Sequence, residues 1–160
     1  MSNLQMPRID RKIIKRKKNI VNDLKKIIKS QNIVDHPDEL KPFETDGLSA
    51  YKQKPLVVVF PENKKEVSKI LEYCNQERIK VVPRGAGTGL SGGALPIADA
   101  ILLCMGKFNK ILEIDYNNRC VVAQPGVTNL SITKAVQDKD FYYAPDPSSQ
   151  IACSIGGNVA

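Results

Sequence analysis

Tryptophan is absent from the 160 residues, histidine occurs once, and no apolar run approaches the length of a membrane-spanning helix. The longest such runs, Leu56 to Phe60 and Ala100 to Met105, fall far short of the roughly 20 residues that a bilayer requires. No secretory leader is expected: the basic stretch from Arg8 to Lys18 leads into an amphipathic segment and not into a continuous apolar one. A reducing, cytoplasmic compartment is the expectation, peripheral at most to the inner face of a membrane. The four cysteines, Cys74, Cys104, Cys120 and Cys153, contain no Cys-x-x-Cys pair, which argues against a zinc site or a disulfide framework. They read as small buried hydrophobes. His36 stands before Pro37 in a polar stretch, with no partner at ligand spacing, and reads as solvated or structural.

What the sequence has is basic charge at one end. The formal net charge is +7, yet residues 1–30 carry ten Lys or Arg against Asp10 and Asp23, leaving fourteen basic against fifteen acidic side chains in residues 31–160. A nucleic-acid domain spreads its basic residues over a docking face and interleaves aromatic groups for stacking. The first thirty residues hold no aromatic residue at all, so no nucleic-acid partner is expected. Ile20, Leu24, Ile27 and Ile28 recur at helical spacing between Lys25, Lys26 and Lys29, the pattern of an amphipathic helix packed by its isoleucine face. A helix resting on an anionic membrane surface, or serving as an organelle-targeting sequence, is the alternative reading of the same residues. Residues 1–50 are thus read as this basic helix and a polar connecting segment, the connector running from Gln31 to Lys54.

A length of 160 residues suits one ordinary domain, or a small one with an extension. Leu56 to Phe60 is a valine-rich run that predicts a buried strand. Val67, Ile70, Leu71 and Cys74 predict the apolar face of a helix after it, with Glu62 near its positive end. Val81 and Val82 begin a second strand, so residues 56–82 form a βαβ unit with parallel strands. Ile101 to Cys104 is a further strand, and Ile111 to Asp115 pairs with Cys120 to Ala123 around Asn117-Asn118, making the sheet content mixed. A helix over about 129–138 would bury Leu130, Ala135 and Val136, and Phe141 to Tyr143 reads as a short strand.

Residues 83–93, Pro-Arg-Gly-Ala-Gly-Thr-Gly-Leu-Ser-Gly-Gly, place five glycines directly after a strand. Glycine permits positive φ and close approach of a ligand, so that successive N–H groups converge on an anion. A phosphate or diphosphate is the natural guest. A Walker loop requires a lysine, and none lies between Lys80 and Lys107. Gly87, Gly89 and Gly92 satisfy Gly-x-Gly-x-x-Gly, but that motif opens a helix, and Gly93-Ala94-Leu95-Pro96 interrupts one. The nicotinamide reading is therefore disfavoured.

The loop, with Thr45-Asp46-Gly47-Leu48-Ser49-Ala50-Tyr51, Val57 to Pro61, Gln124-Pro125-Gly126-Val127, Pro145-Asp146-Pro147-Ser148-Ser149 and Cys153 to Ala160, resembles the FAD-binding domain of the vanillyl-alcohol-oxidase, or PCMH, type. Within that type it is similar to the branch of glycolate oxidase and D-lactate dehydrogenase, over roughly residues 43–160. The fold the resemblance implies is α+β: the N-terminal part of a PCMH-type domain over 51–160, with a small βαβ unit followed by a mixed sheet, incomplete at the C-terminus. It implies FAD as cofactor, with Arg84, Gly85, Ala86, Gly87, Thr88, Ser91, Gly92 and Gly93 around the diphosphate. Pro145, Asp146 and Ser149 are then expected near the flavin ring, and Ser154, Gly156, Gly157 and Asn158 near the flavin and its ribityl chain.

The activity implied is oxidation of a small 2-hydroxy acid, of glycolate or D-lactate type. Members of the family are several-fold longer, so the chain reads as a fragment without the cap and catalytic regions, and no catalytic residue is identifiable. A complementing chain or other oxidase subunits would then supply the rest. Three to five N–H donors at roughly 1.5–3 kcal/mol each barely match the about 4–15 kcal/mol cost of immobilising a ligand. Weak or absent FAD binding by residues 1–160 alone is the expectation. The competing reading is a noncatalytic remnant whose basic helix binds a partner or a membrane.

Overall fold

The computed structural model describes residues 7–145 and 147–160. Asp10 opens the first helix, α1 (Arg11–Lys15), its carboxylate accepting the Lys12 N–H at 2.8 Å. After a break at Arg16 the chain continues as α2 (Lys17–Ile27). The isoleucine face packs inward: Ile13, Ile20, Val21, Leu24 and Ile28 are buried, while Arg11, Lys12, Lys15, Lys18, Lys25 and Lys26 stay in solvent. The helices dock on the rest of the molecule, since these side chains share one core with Val57, Val59, Ile70, Cys74, Ile101 and Leu103. Arg16 pairs with Glu77, and the Tyr73 hydroxyl donates to Asp23 at 3.2 Å.

The stretch expected to be a plain connector holds an element. β1 (Ile33–Val34) pairs antiparallel with β2 (Val57–Val59), Ile33 opposite Val59, and the Phe60 N–H donates to the Asn32 carbonyl at 2.9 Å. Two residues leave almost no periodicity for a sequence reading to detect. After β2, Asn63 caps α3 (Lys64–Gln76) by accepting the Glu66 N–H at 3.0 Å, and Glu66 reaches back to the Glu62 N–H at 2.7 Å. The cap satisfies one free donor of the first turn, the Glu66 N–H, and ties down the Glu62 N–H just before the helix. Glu62, expected to serve the helix dipole, is engaged by Lys29 and Lys107, which hold its carboxyl down at about 2. Leu71, expected on the buried face, is 45% exposed; Ile70 and Cys74 carry that face.

β3 (Lys80–Arg84) is parallel to β2 without touching it. The next strand, β4 (Ala100–Cys104), lies between them, giving the order β1-β2-β4-β3 with β2, β4 and β3 parallel. Period-two alternation then divides the side chains. Val57, Val59, Ile101 and Leu103 face the helices, and Val58, Val82, Leu102 and Cys104 face a second cluster closed by Leu40, Phe43, Phe60 and Ile97. The sheet is covered on both faces, as parallel strands require.

β5 (Ile111–Asp115) and β6 (Cys120–Ala123) form a separate antiparallel pair. α4 (Asn129–Val136) is capped by Thr128, whose side chain accepts the Ser131 N–H. It buries Asn129, Ile132 and Val136, with Leu130 and Ala135 only partly covered, a rotation of the expected face. Phe141 to Tyr143 is not a strand: Phe141 packs its ring on Tyr116 at 5.6 Å, and the Tyr143 N–H donates to the Thr133 hydroxyl. α5 (Ile155–Val159) ends the chain. Cys74, Cys104 and Cys153 are buried as expected, whereas Cys120 is exposed at the start of β6.

Candidate functional site

The glycine-rich loop leaves β3 at the C-terminal edge of the parallel strands, where open α/β sheets place their ligands. Its root is fixed: the Arg84 carbonyl accepts the Met105 N–H at 2.9 Å, tying the start of the loop to the chain leaving β4. Gly87 (φ +73°) and Gly92 (φ +76°) occupy the left-handed region that a β-carbon disfavours. No helix follows; the chain turns through Pro96 and enters β4. The decisive observation concerns the donors. Among the described residues, no backbone carbonyl accepts from any N–H of Ala86 to Ala94. A run of main-chain donors that no carbonyl of the chain takes up, at the C-terminal end of a parallel sheet, is an arrangement able to accept an anion.

A second region is carried to this loop by a relay of backbone contacts. The Gly126 N–H donates to the Phe108 carbonyl at 2.7 Å, just beyond β4. The turn so anchored then holds the C-terminal segment: the Ile155 N–H donates to Val127 and the Gly156 N–H to Pro125, each at 2.8 Å, and Thr128 and Ser154 form a bridge. Ser154 ends against Gly85, where a β-carbon would overlap its hydroxyl. The Ser154 Oγ is buried and has no hydrogen-bond partner among the described residues. An unpaired buried hydroxyl beside a row of free N–H groups extends the same donor surface.

Asn129, which the sequence reading passed over, organises the remaining pieces. Fully buried at the start of α4, it donates through Nδ2 to the Pro145 carbonyl at 3.1 Å and accepts at Oδ1 from Asn158. Pro145 and Asn158 are thereby brought to one place. The Ser149 carbonyl accepts the N–H groups of Ala152 and Cys153, both at 2.8 Å, closing the turn before α5. Asp146 lies outside the described residues. Asn129 could have been suspected only from its being polar at a helix start, a signal shared by ordinary caps.

Arg84 folds back under its own loop. Its Nη1 donates to the Phe43 carbonyl at 3.2 Å, and its guanidinium lies 2.5–2.8 Å from where a Gly87 β-carbon would stand. The fixed positive charge therefore sits beneath the free N–H groups and adds to their attraction for an anion. Burial pushes the nearby Cys104 thiol up to about 11, against the opposing influence of Arg84. Cys104 is accordingly a packed thiol and not a nucleophile. Among the described residues, no group of His, Cys, Asp and Glu side chains has an arrangement suited to a metal ion.

A family model described as FAD binding domain matches residues 55–160. The chain is 53% identical over 137 residues to the glycolate oxidase subunit GlcD of Escherichia coli strain K12, covering 86% of this chain and 28% of that protein. It is 35% identical over 140 residues to the mitochondrial D-2-hydroxyglutarate dehydrogenase of Arabidopsis thaliana, covering 88% of this chain and 25% of the relative. The chain thus spans between a quarter and a third of the length of these proteins. Its fold superposes on the crystal structure of p-cresol methylhydroxylase with substrate bound at a TM-score of 0.77 and 20% identity, over 94% of this chain and 30% of the other. The run of N–H groups from Ala86 to Ala94 and the Ser154 hydroxyl fall inside the matched segment. The match begins two residues before β2 and takes in β2 to β6, the glycine loop and the C-terminal segment, and by it the chain belongs to the FAD binding domain family, with GlcD among its relatives.

Proposed function

We propose that this chain holds the diphosphate side of FAD in a flavoenzyme that oxidises a small 2-hydroxy acid of the glycolate, D-lactate or D-2-hydroxyglutarate kind. The single observation that carries the reading is the free row of N–H groups from Ala86 to Ala94, with the buried Ser154 hydroxyl held beside it at Gly85. In this reading the main chain of Gly85 to Thr88 and Ser91 to Gly93 takes the diphosphate oxygens, and Arg84 supplies charge from below. Ser154, Gly156, Gly157 and Asn158, with Pro145, Asp146 and Ser149, form the wall toward the flavin. When bound, FAD would supply the two-electron redox chemistry that oxidation of a hydroxyl-bearing carbon requires. This chain's own residues bind the cofactor and keep the loop open to it; none is assigned as the substrate base.

A chain completing the enzyme, or an anionic surface, would meet the basic outer face of α1 and α2, because the apolar face of these helices is already buried in the core. A cytoplasmic setting accords with this proposal. The test is a titration of the purified protein with FAD, followed by flavin fluorescence to high cofactor concentration. Weak but saturable binding is expected, and Gly87→Val, which forces a branched side chain into positive φ against the Arg84 guanidinium, is expected to abolish it. A folded wild type with no saturable signal would sink the proposal.

A further inference from the structure

The segment 43–51 lies before the family match, which starts at residue 55, yet it touches the glycine loop at several points. The Phe43 carbonyl accepts from Arg84 at 3.2 Å, and the Leu48 side chain lies 3.8 Å from where a Gly92 β-carbon would stand. Between them the buried Asp46 accepts the Leu48 N–H at 2.9 Å, a local turn that presents Gly47 to the loop. A β-carbon on Gly47 would lie 2.6 Å from the Thr88 carbonyl oxygen and 2.7 Å from that of Gly89. Both are backbone atoms, so the overlap cannot be relieved by rotating a side chain.

We propose that Gly47 is a positioning residue for the cofactor's diphosphate: by lacking a side chain it lets the Thr88 and Gly89 carbonyls dock on the 43–51 turn. A planar trans peptide points its N–H opposite to its C=O. With both carbonyls held against Gly47, the N–H groups of Gly89 and Leu90 face the other way as an adjacent pair, the arrangement that cups an anionic oxygen. Neither N–H is taken by a backbone carbonyl among the described residues. The turn therefore works as an anvil, setting the direction of donors that belong to a different segment. The inference rests on the reading of residues 85–93 as the diphosphate loop and adds to it a wall from outside the matched region.

The experiment measures FAD affinity by fluorescence titration and the environment of the bound diphosphate by phosphorus NMR, on the full chain. Gly47→Ala is expected to weaken FAD by about 10- to 100-fold, the range of one lost charge-assisted hydrogen bond, and to return the phosphorus resonances toward those of free FAD. Circular dichroism and the urea midpoint of the unliganded variant establish that it is folded. Leu48→Ala removes the contact near Gly92 without adding an atom, and a smaller loss in the same direction is expected; this variant decides the matter if Gly47→Ala does not fold. Gly106→Ala, whose added carbon meets open space, is the control and binds as wild type does. Wild-type affinity and wild-type phosphorus resonances in Leu48→Ala and in folded Gly47→Ala would overturn the assignment of Gly47. A folded wild type that gives no FAD signal overturns instead the reading of the loop itself, and the inference with it.

Discussion

At the scale of single residues, close contacts to glycine distinguish two kinds of position. Gly126 is pressed against main chain, with a β-carbon placed 2.5 Å from the Met105 carbonyl oxygen and 2.7 Å from that of Phe108. Gly85 meets only the end of a serine side chain, which has other rotamers. Gly126→Ala is therefore expected to destabilise the protein by about 1–3 kcal/mol, the usual cost of overpacking, and Gly85→Ala by less than about 1 kcal/mol. Urea midpoints of the two variants check the ordering, and equal losses would contradict it. Gly126 stands in Gln-Pro-Gly-Val, legible in the sequence as a turn. Its tie to the chain leaving β4 was not, because nothing local reports which carbonyls a turn will meet.

At the scale of elements, one buried acid adds a polar tie at the start of α1 to the apolar face that docks it. Asp99, buried just before β4, accepts the Asp10 N–H at 2.7 Å and Lys80 Nζ at 2.9 Å through the same oxygen, while Lys80 also donates to the Arg8 carbonyl at 3.1 Å. Burial pushes the Asp99 carboxyl up, but the hydrogen bonds from Lys80 and from the Asp10 backbone outweigh it and hold the group below its ordinary 3.8. A depressed acid contributes stability above its unfolded pKa, and that contribution is lost as pH falls through the lower folded value. Unfolding midpoints are thus expected to drop below about pH 4, and Asp99→Asn is expected to show a smaller acid-side drop from a lower starting stability. An unchanged acid limb in the variant would show that other carboxylates control it. The amphipathic pattern of α2 was plain from sequence because four isoleucines and leucines repeat at helical spacing; α1 and the two-residue β1 are too short to carry a period.

At the scale of the whole molecule, the sequence announced β2 to β6, the long helices and the glycine loop, but neither β1 nor the order of the sheet. Val57 to Val59, Val81-Val82 and Ile101 to Cys104 are apolar on both sides, which marks them as interior strands without saying which is central. Pairing is settled by the packing of helices and loops around them, and β4 enters the middle. The cysteines give a global probe of this packing. Cys74 and Cys104 are buried in the two apolar layers, both thiols pushed up to about 11 by burial, and Cys153 is buried under the turn before α5. Cys120 alone is exposed. A thiol reagent added to the native protein is expected to modify Cys120 rapidly and the others only on unfolding, as mass spectrometry of the labelled peptides would show. Fast labelling of Cys104 would mean that the sheet opens near the loop in the native state.

The central position of β4 also sets a schedule for the ribosome. β2 is wholly apolar, and its only earlier strand partner among the described residues is the two-residue β1; its main neighbour, β4, ends at Cys104. At translation speeds of about 5–20 residues per second, the valines of β2 wait roughly 2–9 s for that neighbour to be made. The glycine loop is synthesised during this interval, before the strand that will close the sheet beneath it exists. Nascent chains halted before residue 100 should therefore recruit holding chaperones to the Val57–Val59 stretch, and chains halted well past residue 104 should release them.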